Sequence, residues 1–483
     1  MTGTAEERTT AARAMVFPLA FAQFVCSYAA TNMNVAISTI ADDIGTSVRG
    51  IQTTITLFTL TMAALMIAGS KLTDIWGRKA CFVAGLVVYG TGALLATLAQ
   101  GLGLMVIGYS LLEGVGSALL IPPIYILITV AFDDTGSRAK YFGVVSAAAG
   151  LGSAAGPLLG GVITSSIGWR ASFLSQVLAV AWILVLSRRV IDPPRTGPKP
   201  HFDGLGAVLS AAGLFFVVLG VLQSGTYGWF VSREAFTVGD VELIPKGGIS
   251  PVWVFIAIGA AILCWFFLHV RQREKHHKNP LVSVRLFRDR TSNLGLTTQT
   301  IQWLTMQGTF FVISVFLQQV RGFNAIQTGL TLIPATAGIL IASAAAERMA
   351  HRHSQRRLIR AGFGTVLLGF GLLLLLVREQ SNVLTFAPGL LLIGLGIGIM
   401  LTASVNVVQS SFPERDQGDI SGLSRSVSNL GSSLGTALAG SILVAASHPG
   451  GRPFALSLTM MAVITFIGWV VALLIPRRRP ESR

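Results

Sequence analysis

Charged residues are scarce in this sequence. Asp, Glu, Lys and Arg make up 12% of the 483 residues, whereas soluble globular proteins carry roughly 25%. Hydrophobic residues reach 52%, and the mean hydropathy is +0.67. A single aqueous core cannot hide that much apolar surface, so the composition excludes a soluble globular protein, a disordered chain and a collagen-like chain.

Cysteine and catalytic constellations are also lacking. Cys26, Cys81 and Cys264 lie in or beside apolar segments, without CxxC or His-linked spacing, so we expect free thiols and neither a disulfide nor a metal site. No cluster of His, Ser and Asp and no nucleotide-binding P-loop occurs. The sequence therefore predicts a protein that is not an enzyme, needs no cofactor and draws energy from a gradient.

Apolar segments of about twenty residues are abundant, and this is the length that a helix needs to cross about 30 Å of hydrocarbon. The sequence predicts fourteen spans, at 15–37, 51–73, 80–99, 104–131, 141–166, 171–187, 204–223, 252–270, 293–318, 326–346, 361–377, 387–411, 421–446 and 454–475. The predicted fold class is an all-α membrane protein.

The formal charge of +15 lies in short basic clusters between these spans. About 28 of the 36 Lys and Arg residues fall on one side of the predicted topology, which marks the cytoplasmic side. The sequence thus predicts a multi-pass protein of the plasma (inner) membrane with both termini in the cytoplasm. Because the basic residues set topology, we expect no nucleic-acid partner.

The predicted spans divide the chain into three parts. Residues 1–190 hold six spans, 191–290 hold a proline-rich linker and two further spans, and 291–483 hold the last six. The longest external loop, 224–250, contains two β-prone runs around Gly239-Asp240. This pattern predicts a hairpin, with an irregular loop as an equally open alternative.

An internal repeat relates the first and last parts. Residues 143–163 of span five match residues 422–442 of span thirteen at several Gly, Leu and Ser positions. Residues 114–116 of span four likewise match 394–396 of span twelve. The repeat predicts two six-helix halves with two inserted helices between them, since many transporters are built from repeated halves.

Three motifs carry a family resemblance. The loop 70–79 holds Asp74, Gly77, Arg78 and Lys79 in a pattern that begins with Ser70 instead of the usual glycine; residues 34–37 read Asn-Val-Ala-Ile; and span five contains GxxxGPxxGG as Gly152, Gly156, Pro157, Gly160 and Gly161. The chain resembles the major facilitator superfamily, specifically its fourteen-helix drug/proton antiporter branch. The resemblance covers nearly the whole chain.

The resemblance implies two six-helix bundles plus two inserted helices that work by alternating access. It implies a secondary active transporter that exports amphipathic or cationic small molecules by proton antiport. Asp74, Gly77, Arg78 and Lys79 would latch one conformation, with a plain topology signal as the alternative for the two basic residues. The span-five motif would pack closely, and Pro157 would bend the helix.

Two charged positions of the branch are missing here, because Ala29 and Ser110 stand where its members usually carry Asp and Arg. Glu113 is the one carboxylate that the predicted spans place near the bilayer midplane. Ionisation there is costly, so Glu113 is the candidate for proton or cation coupling. The alternative is a structural hydrogen bond.

Candidate cavity residues come from the helices that surround the cavity in the family. They are polar, aromatic or thioether side chains on spans one, four, nine and twelve: Tyr28, Thr31, Asn32, Glu113, Gln299, Gln302, Trp303, Met306, Phe310 and Asn406. Each has packing between helices as its alternative role. We expect Arg425 in span thirteen to reach the cytoplasmic headgroups by snorkelling.

The expected partners are an amphipathic small molecule, protons and membrane lipids, and the expected state is a monomer. Two other functions stay open. A transporter of a lipid or another specific amphiphile suits the shortage of intramembrane charge equally well. A non-transporting receptor or scaffold on the same fold is disfavoured because no added soluble domain is predicted.

Overall fold

A computed structural model describes residues 5–132, 135–190, 192, 201–238, 241–276, 278–378, 380–412, 417–443 and 451–476. In this part of the chain, fourteen helices have eighteen or more residues, and each corresponds to one predicted span. They are α1 Ala5–Asn32, α2 Val48–Trp76, α3 Arg78–Thr97, α4 Gly114–Ala131, α5 Thr135–Ser166, α6 Trp169–Leu186, α7 Gly204–Tyr227, α8 Pro251–Lys275, α9 Arg290–Val315, α10 Ile333–Arg352, α11 Gln355–Leu376, α12 Phe386–Gln409, α13 Gln417–Leu443 and α14 Gly451–Leu474.

Several short helical segments extend this set. The π-helical segment Val106–Glu113 leads directly into α4, and Phe316–Val320 continues α9 in the same form. The helix Ile37–Asp43 follows α1, and Ala325–Thr331 precedes α10 with a bend of 43° between the two. The structure confirms the predicted all-α membrane fold.

The number of membrane crossings stays a prediction. By length and composition, eleven helices of the described chain are long and apolar enough to cross a membrane, or thirteen when each of two bent pairs counts as one span. The remaining long helix is α13, which is rich in Gly and Ser. We attribute its polarity to its position, because α2 and α9 cover it along much of its length.

The two six-helix sets repeat the same packing. Helix α1 packs along α5 as α9 packs along α13, and the pairs α3–α4 and α2–α4 recur as α11–α12 and α10–α12. Glycines at repeat-related positions make these contacts close. Gly116 of α4 lies against α3, and its counterpart Gly396 of α12 lies against α11. The repeat predicted from the sequence is confirmed.

The inserted helices α7 and α8 pack on each other, and α7 lies against α2 and α13. One carboxylate fixes the start of this pair. Asp203 accepts hydrogen bonds from the backbone N–H of Gly206 at 3.0 Å and of Leu281 at 3.2 Å. It also contacts His269 Nε2 at 2.9 Å and Arg273 Nε at 3.5 Å. Asp203 thereby ties α7, α8 and the segment before α9 together.

The predicted hairpin is present between α7 and α8. Strands β1 (Phe236–Val238) and β2 (Val241–Ile244) pair antiparallel, with Thr237 opposite Glu242. The Gly-Asp pair at its tip lies outside the described residues, as does all of the predicted linker except Asp192. The hairpin marks one end of the molecule, called the outer end below; the opposite end is the inner end.

We expect Asp203→Asn to destabilise the protein by about 2 kcal/mol near neutral pH, because it removes a charge that three donors and a guanidinium surround. Burial alone would raise the pKa of Asp203, but the hydrogen bonds from His269 and Gly206, together with Arg273, outweigh it and lower the pKa. A lowered pKa adds stability above the unfolded-state value of about 3.9, and that stability is lost as the pH falls through the native pKa.

The measurement is the apparent melting temperature of detergent-purified protein as a function of pH. The gap between wild type and Asp203→Asn should narrow as the pH falls below about 4. Asp42→Asn, at an exposed position of the helix Ile37–Asp43, serves as the control. Equal melting temperatures for wild type and Asp203→Asn at pH 7 would contradict the assignment.

Candidate functional site

Two long seams join the halves. Along the first, α2 packs on α13: Ser433 Oγ donates to the Thr56 carbonyl at 3.0 Å, and at the inner end Lys71 Nζ lies 2.6 Å from Asp419 Oδ1. Along the second, α5 packs on the helix Ala325–Thr331 and on α10. Each seam therefore pairs one helix of the first half with a helix of the second.

Amide side chains close the outer end between α1 and α9. Gln307 Nε2 donates to the carbonyl oxygen of Ala30 at 2.9 Å. Nearer the outer surface, Gln318 Oε1 accepts from the Ser38 backbone N–H at 2.9 Å, while its Nε2 donates to the Asn34 carbonyl at 3.1 Å. These bonds hold the two halves together on the side of the hairpin.

The span-five motif divides its glycines between two neighbours. Gly152, Gly156 and Gly160 face α1, and a Cβ atom added to Gly156 would collide with the Thr31 hydroxyl. Gly161 faces the second half instead, where an added Cβ would lie 2.6 Å from the Ala325 carbonyl oxygen. The motif thus packs α5 onto its own half and onto the seam.

Pro157 leaves a carbonyl without its helical donor, and α1 supplies a substitute. Proline has no N–H, so the Ser153 carbonyl four residues earlier loses its usual intrahelical bond. Thr31 Oγ1 donates to that Ser153 oxygen at 3.1 Å. The side chain of Thr31 is therefore engaged in the contact between α1 and α5, and its exposed fraction is 1%.

Glu113 lies inside the first half, with an exposed fraction of 0%. Glu113 is the last residue of the π-helical segment before α4. The α3 backbone lies close to it, since a Cβ atom added to Gly92 would lie 2.6 Å from the Glu113 backbone nitrogen. Within the described chain, neither carboxyl oxygen forms a hydrogen bond of good geometry, and the Tyr89 hydroxyl lies within reach of the carboxyl. Tyr89, Tyr109 and Cys26 are its electrostatic neighbours.

Ser110, where the branch usually has Arg, bonds locally in the structure: its hydroxyl donates to the Thr54 carbonyl at 2.8 Å. Tyr28 and Asn32, like Thr31, face the interior of the first half. The Tyr28 hydroxyl lies 2.6 Å from Ser172 Oγ, and Asn32 Nδ2 donates to the same oxygen at 3.0 Å. These cavity candidates connect α1 to α6 in the described conformation.

The candidates on α9 have different surroundings. Gln299 Nε2 donates to Ser428 Oγ of α13 at 2.8 Å, and Gln302 Oε1 accepts from Ser404 of α12 at 2.9 Å. Met306 and Phe310 are fully buried. These four side chains mainly join helices of the second half.

Trp303 is half-buried and lies one helical turn from Gln307 on the same face of α9. It is therefore directly below the amide bonds that close the outer end. Asn406 of α12 is also half-buried. Among the predicted residues of the second half, Trp303 and Asn406 retain the most accessible surface.

The loop signature has a partner that sequence reasoning missed. Gly77 adopts φ +103°, a conformation that favours glycine, and α3 begins at the next residue. Asp192 accepts from the backbone N–H of Arg78 at 2.8 Å and of Lys79 at 3.1 Å, and it contacts the Arg78 guanidinium at 3.4 Å. A carboxylate is favourable at such a helix start. The side chain of Asp74 lies outside the described residues.

The contact across the halves near this loop is Lys71 with Asp419, in the first turn of α13. Arg425, six residues further along α13, lies over the Tyr125 ring of α4 at 4.8 Å and donates to its hydroxyl. Arg425 thus has an aromatic partner across the interface, and its reach to the cytoplasmic headgroups stays a prediction.

Comparison with known proteins identifies the family. A family model described as the Major Facilitator Superfamily matches residues 19–241, 243–436 and 336–483. The chain belongs to the major facilitator superfamily. Its helix packing agrees with the crystal structure of the human organic anion transporter MFSD10 (TETRAN), at a TM-score of 0.60 and 13% identity over 97% of this chain and 100% of that chain.

Relatives within the superfamily include drug and antibiotic exporters. "Multidrug resistance protein Stp" of Mycobacterium tuberculosis (strain CDC 1551 / Oshkosh) is 26% identical over 86% of this chain and 72% of its own length. "Cephamycin export protein CmcT" of Amycolatopsis lactamdurans is 27% identical over 96% of this chain and 93% of its own length. These matches confirm the predicted family, its drug-exporter branch and the prediction of a secondary active membrane transporter.

We expect Gly156→Ala to destabilise the protein by about 2 kcal/mol and to slow transport, because the added methyl group collides with Thr31. Gly150→Ala on the same helix is a matched control, since a Cβ there meets nothing within 4 Å. Melting temperature in detergent and transport rate in liposomes measure both effects. If Gly156→Ala changes the melting temperature and the transport rate no more than Gly150→Ala does, close packing at Gly156 is not needed.

Proposed function

We propose that this protein exports amphipathic or cationic small molecules by proton antiport, with Glu113 as the proton carrier. In this account residues 1–190 and 291–483 move as two bundles, and the inserted part 191–290 links them. The names of its relatives, which include a multidrug resistance protein and a cephamycin export protein, support a drug-like substrate.

The observation that carries the proposal is the enclosure of Glu113. The carboxyl is fully buried, and its two oxygens form no hydrogen bond of good geometry within the described chain. An ionised carboxylate in such a site is very unfavourable, so the closed outer end goes together with the protonated acid. A group that must gain or lose a proton as its surroundings change can couple proton movement to alternating access.

Substrate recognition is assigned to the space below the outer amide bonds. Trp303 offers aromatic area there, and a cation or an apolar ring binds favourably on an indole face. Asn406 adds an amide on α12. We propose that the substrate reaches Trp303 from the inner side and leaves when the bonds of Gln307 and Gln318 to α1 break.

The orientation and the latch belong to the same proposal. Both termini face the cytoplasm, the protein acts as a monomer in the plasma membrane, and lipids surround it. Lys71 and Asp419, 2.6 Å apart, support a latch between the halves at the inner end. Within the loop signature, Gly77, Arg78 and Lys79 would act through Asp192, which caps α3. The role of Asp74 in the latch is carried over from the family motif.

We expect Glu113→Gln to abolish gradient-driven accumulation while leaving downhill exchange of substrate intact, because glutamine cannot carry a proton. Purified protein in liposomes with an imposed pH gradient provides the measurement. At zero membrane potential, an antiporter should accumulate a lipophilic cation on the acidic side, by about tenfold per pH unit for each proton exchanged per substrate molecule.

Glu242→Gln, at an exposed position of the hairpin, is the matched control and should behave as wild type. A neutral amphiphile and a labelled lysolipid, tested in parallel, separate a drug exporter from a lipid transporter. Full accumulation by Glu113→Gln would refute the coupling assignment, and transport of the lysolipid alone would replace the drug assignment.

The orientation predicts accessibility of single cysteines in a variant without native Cys. We expect Lys246→Cys, in the exposed loop between α7 and α8, to react with an impermeant maleimide in intact cells. Ser354→Cys, exposed at the start of α11, should react only after the membrane is opened. The reverse pattern would place the termini outside the cell.

A further inference from the structure

A line of buried polar side chains leads from α6 through α3 toward Glu113. Gln176 of α6 donates from Nε2 to the Ser172 carbonyl at 3.4 Å, and its Oε1 accepts from the Tyr89 hydroxyl at 2.5 Å. The exposed fractions of Gln176 and Tyr89 are 2% and 0%. These groups are therefore shielded from water and lipid.

The chemistry of the donors fixes the direction of these bonds. A backbone carbonyl can only accept, so the amide nitrogen of Gln176 must face Ser172 and the amide oxygen must face Tyr89. The Tyr89 hydroxyl has one proton, and it is directed to Gln176. The Tyr89 oxygen is then available to neighbours only as an acceptor.

Tyr89 and Glu113 are held side by side by glycine contacts between α3 and α4. A Cβ on Gly116 would lie 2.5 Å from the Tyr89 nitrogen, and one on Gly92 would lie 2.6 Å from the Glu113 nitrogen. The Tyr89 hydroxyl lies within hydrogen-bonding reach of the Glu113 carboxyl. At this level the backbones of α3 and α4 are too close for a side chain to fit between them.

Tyr109, the other buried phenol beside Glu113, also directs its proton elsewhere. Tyr109, on the same π-helical segment, donates to the Ala29 carbonyl of α1 at 3.1 Å. Cys26 of α1 interacts with Ser117. Tyr89 and Tyr109 thus both direct their hydroxyl protons away from Glu113 in this conformation.

We propose that Gln176 is a positioning residue: by holding the Tyr89 proton, it keeps the Tyr89 oxygen as an acceptor for protonated Glu113 and so sets the pH at which the transporter gives up its proton. The inference rests on the proposed role of Glu113. It adds a regulator on α6 that does not touch the substrate.

The corresponding step moves one proton. When the Tyr89 O–H turns from Gln176 to Glu113, it can donate to the carboxylate, and the proton of Glu113 passes to water on the open side. The Glu113 O–H bond breaks, the Tyr89 O–H bond stays intact, and the Gln176 oxygen loses its donor. No redox partner is needed.

The test is the pH profile of substrate exchange in liposomes at equal pH on both sides, with a lipophilic phosphonium cation as the probe. Gln176→Met keeps the side-chain length but removes the acceptor for Tyr89. The freed hydroxyl can stabilise ionised Glu113, so the midpoint should move by about one unit to lower pH, a tenfold change in proton concentration.

Two further variants separate this effect from a loss of packing. In a Tyr89→Phe background, Gln176→Met should cause no additional shift, because no hydroxyl remains to be released. Thr91→Ala removes an exposed hydroxyl two residues from Tyr89 and leaves the bond between Tyr89 and Gln176 in place, so its midpoint should match wild type. An unchanged or higher midpoint in Gln176→Met, or a shift that persists without the Tyr89 hydroxyl, would overturn the inference.

Glu113→Gln in the same assay shows whether the coupling role of Glu113 or only the positioning role of Gln176 is wrong. If substrate exchange by Glu113→Gln still depends on pH as in wild type, the proposed coupling by Glu113 is wrong. A profile that Glu113→Gln flattens, while Gln176→Met leaves the midpoint unchanged, removes only the role of Gln176.

Discussion

Hydrocarbon cannot hydrogen-bond, and this constraint accounts for the arrangement of polar groups in the structure. Helix α13 is rich in Ser and Gly, yet its hydroxyls bond to α2 and α9 and its glycines press on α9. The helix is tolerable in a membrane only because its neighbours cover it. Its polarity, in turn, lets it approach α2 closely and form the seam between the halves.

The same constraint distinguishes helix contacts that stay together during transport from contacts that can open. Within each half, α1–α5 and α9–α13 meet through glycines, so their backbones approach too closely to rearrange easily. At the outer end, the halves meet through a few amide hydrogen bonds, such as that from Gln307 to Ala30. Such bonds contribute about 0.6 kcal/mol each in membrane proteins, so they can be broken and remade during transport.

The sequence predicted the long helices, the internal repeat and the hairpin, because hydrophobic length, glycine spacing and turn residues are local signals. It could not predict which face of a helix a polar residue uses. Tyr28 and Asn32 read as cavity residues but bond to Ser172 of α6, while Gln307 and Gln318, which close the outer end, look no different in sequence from Gln299.

Tertiary partners account for the other differences. Asp192 lies in a segment that reads as a linker, and only the fold brings it to the start of α3. The importance of Asp203 likewise depends on donors from residues 206 to 281 along the chain. Lys71 can be singled out from the sequence because it belongs to the loop signature. Its partner Asp419 cannot, because it is 348 residues away.

We propose that the outer end is closed when Glu113 is protonated and opens when the proton has left and substrate is bound. Spin labels on Ile167 and Leu384, exposed at the outer ends of the two halves, allow their separation to be measured by pulsed electron resonance. With a lipophilic cation present, the account predicts a longer distance as the pH rises. An unchanged distance at every pH, or one that lengthens on acidification, would contradict it.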